Sequence, residues 1–529
     1  RDGTSSLFAN YSVIEDGCPT GATCSHLGTS DPYFVSDPDP GDDDTWGTFD
    51  DEAGDLRLQK LSPAIDAGDN DAWSLPTFDA EGHPRKVDVT SVPDAGNGTA
   101  PIVDIGAYES PPDVIHVDAA ATGAASGLNW TDAFTDVQDA LSWGSSGPAD
   151  VWVAQGTYTP GADRSDAFHL VVGLALYGGF PSGGGDGTFE VRDWRTYTST
   201  LSGEIGAPDD RSDNAYHVVV AREVNQTTRL DGFVITRGSA NMDPSPFSAS
   251  SRPMAGVSCG PSSTDYGGGI CMSSDSSPVL VNLALIDNYA LHGGGMEIYN
   301  SSPLMANIEF LGNRAETSGG ALRIEYSDPA LMNTIFVGNQ AGSDGGAVFN
   351  DESTPQILNA TFSGNHAGNG GGMSSTGGSS VVTVTNSIFW GNTADSDPQI
   401  SGDGDASTRM DYGLVEGGCP ADITCTHLLT DDPLFVLDPD PGTDTVWGTA
   451  DDDYGDLQLQ ETSPAIDAGN NDVFPGSVTV DLLGNPRLFD VTAVPDTGDG
   501  TAPFIDLGAY EAQFGPSYLY LPLVLQNQQ

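Results

Sequence analysis

Phe310-Leu311-Gly312-Asn313, Phe336-Val337-Gly338-Asn339, Phe362-Ser363-Gly364-Asn365 and Phe389-Trp390-Gly391-Asn392 are one phrase written four times, at intervals of 26, 26 and 27 residues. Leu285-Ile286-Asp287-Asn288 is a looser version one interval earlier, and the clusters Gly293-Gly294-Gly295, Gly319-Gly320, Gly345-Gly346 and Gly370-Gly371-Gly372 fall in between. A fixed period in the twenties marks a solenoid. The segments are short, β-branched or aromatic, and broken by Gly, Asn and Ser, which leaves room for strands and tight turns but not for a helix. One such turn holds roughly three strands and three bends, and successive turns stack as parallel β about 4.8 Å apart. The phenylalanines are then expected above one another inside. The asparagines are expected to stack at a bend, where their amides bond up and down as a ladder, and the glycine pairs to supply positive φ.

The Phe-x-x-Asn phrases, together with Gly319-Gly320-Ala321-Leu322 and Gly345-Gly346-Ala347-Val348, resemble the polymorphic outer-membrane protein repeat. That resemblance implies a right-handed parallel β-helix of the pectin-lyase-like class, in a secreted or surface-displayed bacterial protein, with adhesion among the functions of the family.

The ends of the chain carry a second pattern. Cys18, Trp46 and Ile65 recur 401 residues later as Cys419, Trp447 and Ile466, and Ser62-Pro63-Ala64-Ile65-Asp66-Ala67-Gly68 recurs as Ser463 to Gly469. Asp104-Ile105-Gly106-Ala107-Tyr108-Glu109 recurs as Asp506-Leu507-Gly508-Ala509-Tyr510-Glu511. These phrases resemble the C-terminal part of choice-of-anchor Q proteins, which implies an extracellular or cell-surface β-helix protein and no particular activity. The organisation expected is an all-β chain: a tail module over 1–110 (twin of 402–512), an opening with a capping helix over 111–160, a parallel β-helix over 161–400, a second acidic tail module over 401–512 and an apolar strand over 513–529. The helix is expected from an N-cap at Thr131 to about Ser142, with Phe134, Val137 and Leu141 on one face, plugging the first edge of the solenoid.

Composition narrows the function. Lys and Arg total 17 against 76 Asp and Glu, a net charge of −59, so nucleic acid and anionic membranes are repelled and divalent cations attracted. No apolar run is long enough for a membrane-spanning helix, and Arg1-Asp2-Gly3 reads as a mature or a cut end. The six cysteines form close pairs, Cys18 with Cys24, Cys259 with Cys271 and Cys419 with Cys425, which read as disulfides of an oxidising compartment, with metal ligation as the rival. The unperiodic stretch Ser239 to Ser263 reads as a surface loop pinned by the middle pair.

The acid-rich loops are the chemical signal. Asp37, Asp39, Asp43, Asp50, Asp51 and Asp55, and their twins Asp438, Asp440, Asp444, Asp451, Asp452 and Asp456, alternate around a glycine turn. Several carboxylates this close repel without a cation, and the spacing suits Ca²⁺, which takes six to eight oxygens in flexible geometry. An enzyme is not expected. Arg314 and Arg323 do not cluster as a lyase requires, no Gly-His-Gly or Arg-x-Lys is present, and only Glu297, Glu325 and Asp351 fall at similar turn positions where a hydrolase would need paired carboxylates. The sequence therefore points to an extracellular structural protein that associates with itself head-to-tail. The contact segments expected are Leu7, Phe8, Tyr11, Val13 and Ile14 at one end and Tyr518, Leu519, Tyr520, Leu521, Leu523, Val524 and Leu525 at the other. A longer tandem parent is a plainer origin for the first module, and an adhesin or a protein that binds or cleaves surface glycans is the alternative function.

Overall fold

The structure, a computed structural model, describes residues 7–145, 149–240, 259, 264–449, 451–473 and 479–514. The stretch Tyr518–Leu525 and most of the 239–263 loop lie outside the described residues. The chain divides into two compact units. One is Arg1–Met305, Asn313–Glu316 and Leu322–Pro329; the other is Ala306–Gly312, Thr317–Ala321 and Ala330–Gln529.

In the first unit the strands Val114–Val117, Asp150–Ala154, Ala175–Phe180, Arg229–Asp231 and Val279–Ile286 run parallel, each beside the next turn of the chain. The register stacks Ile115, Val151, Leu176, Leu230 and Leu280 in one column, and all five are fully buried. A second parallel ladder joins Phe168–His169, Val219–Arg222, Ile270–Ser273, Met296–Tyr299 and Leu322–Glu325. The helix that covers the start of this stack runs from Val137 to Gly144 and buries Val137, Leu141 and Trp143. It begins later than expected from the sequence. Phe134 is held in a β-bridge to Val117, so residues 131–135 are not helical, and Asp136 rather than Thr131 caps the helix by accepting the Gln138 N–H at 2.9 Å.

In the second unit Ala330–Val337, Gln356–Ser363, Val381–Trp390, Ser407–Val415 and Ile423–Leu429 form the corresponding parallel ladder. Phe336, Phe362 and Phe389 face one another in register. With Phe310 they form the expected internal stack, with ring centroids 4.9, 4.5 and 4.1 Å apart and planes within 12° of parallel. The asparagine ladder is present too. Asn339 donates to Asn365 Oδ1 at 2.9 Å and Asn365 to Asn392 Oδ1 at 2.8 Å, and each amide also donates to the phenylalanine carbonyl of the preceding turn. Both groups are buried, so each rung satisfies polar atoms that would otherwise cost about 1–3 kcal/mol apiece.

A second asparagine column, unforeseen in the sequence, sits three residues ahead of the phenylalanines. Asn307, Asn333, Asn359 and Asn386 each adopt φ between 51° and 57° in the middle of a strand. Asparagine is the side chain that best tolerates this left-handed conformation after glycine, and a bend of each strand at this point follows. All three cysteine pairs are disulfides, as the spacing implied. Among the described residues no helix is long and apolar enough to cross a membrane.

The phenylalanine stack makes a direct stability test. Phe362→Ala removes a fully buried ring from the middle of the column and is expected to cost about 3–5 kcal/mol, read as a lower midpoint in denaturant unfolding. Phe362→Leu is expected to cost well under half of that.

Candidate functional site

The two tail modules are alike in their local structure, and each opens on a strand of the same bent form. Tyr11 and Tyr412 take positive φ in Leu7–Val13 and Ser407–Val415, and each stacks on a histidine, His26 or His427, at 4.3 Å. Each opening strand pairs in parallel with the strand after it, Ala22–Gly28 or Ile423–Leu429. Ser407–Val415 is also paired on its other side, to Val381–Trp390. Leu7–Val13 is paired only to Ala22–Gly28 among the described residues. Leu7 and Phe8 are accordingly 57% and 70% exposed, whereas Thr408, the twin of Leu7, is buried.

The body of the second module lies on its solenoid strands. Leu414, Phe435, Ala465, Ile466 and Leu507 share one core with Ile335, Val337 and Ile388. Polar contacts fix the register of this packing. The Gly508 N–H donates to the Asn386 carbonyl at 2.8 Å and the Ala509 N–H to Thr361 Oγ1 at 3.0 Å. Asn386 exchanges hydrogen bonds with the Asn470 backbone at 2.8 and 3.1 Å, and Asn333 accepts from the buried Arg487 guanidinium at 2.6 Å while donating to the Val480 carbonyl. The acidic loop reaches further along the stack. Trp447, stacked with Tyr454, lies over Gly338 and Gly364, and a methyl group on Gly338 would stand 2.6 Å from the indole. The glycines of the repeated phrase therefore serve as a flat track for an aromatic side chain as well as for their turns. Asn333 and Asn386 have one signal in the sequence, the recurrence of Asn three residues before each repeated Phe; Thr361 has none.

The same surface of the first module has no such cover among the described residues. Trp46, twin of Trp447, is 57% exposed. Val13, Phe34, Ala64, Ile105 and Gly106, twins of buried residues in the second module, line a cavity of ≈ 750 Å³ together with Asp37. Arg85, twin of Arg487, turns back to the Gly106 carbonyl at 3.0 Å and lies 3.6 Å from Glu109.

The acidic loops that formed the sequence candidate are folded mainly on themselves. Asp39 accepts from the Gly41 N–H, Asp43 from Thr45, Asp50 from Asp42 and Asp51 from Thr48, at 2.8–3.0 Å, and Asp55 pairs with Arg57. In the twin loop Asp440, Asp444, Asp451, Asp452 and Asp456 make the matching turn contacts. Asp444, Asp451 and Asp452 bring one oxygen each within 4.8 Å of one another, while Asp438 and Asp456 stand outside that group. Of the carboxylates considered for hydrolysis, Glu297 and Glu325 share one arginine, while Asp351 accepts from Thr376 Oγ1 at 3.2 Å. Arg323 bridges Glu297 and Glu325 at 2.7 Å each, and burial pushes Glu297 up to about 7 against the pull of Arg323.

A family model described as "Right handed beta helix region" matches residues 260–395, so the parallel stack seen here is a right-handed parallel β-helix. Among solved structures, the crystal structure of pectate lyase Pel9A aligns with 76% of this chain and 96% of its own at 12% identity and a TM-score of 0.38. No curated protein matches the sequence.

Two outcomes follow. Gly338→Val forces a β-branched residue into positive φ and into the Trp447 indole. It is expected to cost about 2 kcal/mol or more and to make tryptophan emission more accessible to an aqueous quencher. The buried acids set the response to pH. Glu109 is raised to about 10 and Asp506 to about 7 by burial first, and Glu511 moves the same way. Arg85 and Asp104 face Glu109, and Arg487 faces Glu511 and Asp506. Acids raised on folding stabilise the protonated protein and lose that contribution as pH rises through the folded value. Tm, followed by calorimetry, is therefore expected to fall as pH rises from about 4.5 to about 10.

Proposed function

We propose that the protein is an extracellular structural protein that associates with a second copy of itself head-to-tail. The observation that supports this is the contrast between the twin modules: one surface is covered by β-helix strands in the second module and, among the described residues, open in the first. A neighbouring copy is the proposed cover, with its Tyr518–Leu525 stretch adding as a strand to the free edge of Leu7–Val13 and its body closing over Trp46 and the cavity. Strand addition supplies main-chain hydrogen bonds, and a contact between unlike surfaces repeats into a ring or an open filament. Two chains of net charge −59 repel strongly, so calcium at the acidic loops is part of the proposal, as the counterion that lets copies approach. The β-helix fold is compatible with surface adhesins and with proteins that bind or cleave carbohydrates. A glycan-cleaving groove has less behind it, because Glu297 and Glu325 share Arg323.

Sedimentation and electron microscopy at rising concentration test the proposal. Assemblies are expected in calcium and are expected to loosen in chelator. Phe8→Asp, at an exposed position, is expected to leave a folded monomer, as is removal of residues 515–529. Dispersed particles of the unaltered chain at high concentration with calcium present would sink the idea.

A further inference from the structure

The Ser-Pro-Ala-Ile-Asp-Ala-Gly phrase turns a carboxylate inward, twice. Asp66 and Asp467 both take the left-handed conformation, with φ of 49° and 51°, and both are fully buried. Among the described residues neither oxygen of Asp66 has a hydrogen-bond partner, nor has Oδ1 of Asp467. Oδ2 of Asp467 accepts only the Val491 N–H at 3.3 Å, and the twin amide of Val89 faces Asp66 without closing a normal hydrogen bond. A buried ionised carboxylate with no donor and no cation is among the costliest groups a protein can hold.

What faces it is more negative charge. Asp88 and Asp94 each place an oxygen within 4.8 Å of an Asp66 oxygen and of each other, and Asp490 and Asp496 do the same at Asp467. The backbone enforces the cluster. The Ala95 and Gly96 N–H groups both donate to the Asp66 carbonyl at 2.9 Å, and Thr497 and Gly498 repeat this at Asp467, so Asp94 and Asp496 are delivered beside the buried acid. Asp104 and Asp506 accept the N–H of Asp66 and Asp467 from behind at 2.8 Å, leaving the carboxylates to point at their acidic neighbours. Burial, then nearby acids, raise Asp66 to about 7 and Asp467 to about 6, and among the described residues no cationic side chain relieves either.

We propose that Asp66, Asp88 and Asp94 hold one calcium ion, and that Asp467, Asp490 and Asp496 hold a second. The donors are all oxygens, which favours a hard cation over zinc or copper. Two donors across one calcium ion stand at most about 4.8 Å apart, twice a Ca–O bond of about 2.4 Å, and the three oxygens of each cluster fall inside that limit. Asp88, Asp94, Asp490 and Asp496 are exposed, so the ion enters from solvent and seats against the buried member. The two sites are distinct from the acidic loops. They bind the Asp66 or Asp467 turn to the Asp88–Gly96 or Asp490–Gly498 loop, so each ion joins segments far apart in its module.

Calorimetric titration of the chelator-stripped full chain with CaCl₂, with thermal melts of dilute protein, tests this. Saturable calcium binding and a rise in Tm are expected. The outer-ligand variant Asp94→Asn/Asp496→Asn leaves the buried acid in place and is expected to weaken binding about tenfold or more, because one of three charged donors is lost. Asp66→Asn/Asp467→Asn is expected to abolish the calcium-dependent rise in Tm while melting, in chelator, at or above the unaltered protein. Asp444→Asn/Asp451→Asn, in the acidic loop, is expected to keep the rise. An unchanged rise in Asp94→Asn/Asp496→Asn, or a rise lost only in the acidic-loop variant, overturns the proposal. Should the buried-acid variant fail to fold, the outer-ligand variant decides alone.

Discussion

Parallel stacking of like on like is the constraint on which everything else here depends. Successive turns lie one strand spacing apart, so whatever side chain occupies a position meets its own counterpart above and below. For phenylalanine that is a continuous ring stack; for asparagine it is a ladder in which each amide donates and accepts. Neither column works as a single residue. A lone buried Asn in this setting is an unsatisfied amide, and a lone Phe faces a void. The repeat is thus held by physics turn by turn, and the conformation at each bend follows from it.

The outer flank of that stack is a surface in its own right. The second asparagine column bends each strand and turns backbone and amide groups outward, and the phrase glycines leave a track without side chains. The second tail module uses both features, placing Arg487, Gly508 and Ala509 on the asparagine and threonine positions and Trp447 on the glycines. The first module has the same side chains and lacks the flank among the described residues. The difference between a buried Leu507 and an Ile105 that lines a cavity is therefore a difference of neighbour and not of local fold.

Charge is handled differently on the surface and inside the modules. In the acidic loops most carboxylates accept turn N–H groups, which is how exposed aspartates normally shape a bend. Inside, Asp104, Glu109 and their twins lean on one arginine per module, while Asp66 and Asp467 have none among the described residues. A chain with few cationic side chains cannot pair all its buried acids, and that shortage is what makes the unpaired ones informative.

The sequence by itself determined the solenoid, its three-stranded turn, the phenylalanine and asparagine columns, the disulfides and the duplication of the tail, because each of these is written as a repeat or a close spacing that a single line of residues displays. It placed the capping helix but not its start, since the Phe134 bridge to Val117 joins residues distant in the chain. It pointed to acid-rich loops, where carboxylates are dense, and passed over Asp66 and Asp467, each alone in an apolar phrase. Density along the chain is a poor guide to convergence in space: Asp66 meets Asp88 and Asp94 only after the module closes. Likewise Trp46 and Trp447 are indistinguishable as letters. Only the tertiary structure separated them, because exposure depends on what packs against a surface, and that partner lies elsewhere in the chain or outside it.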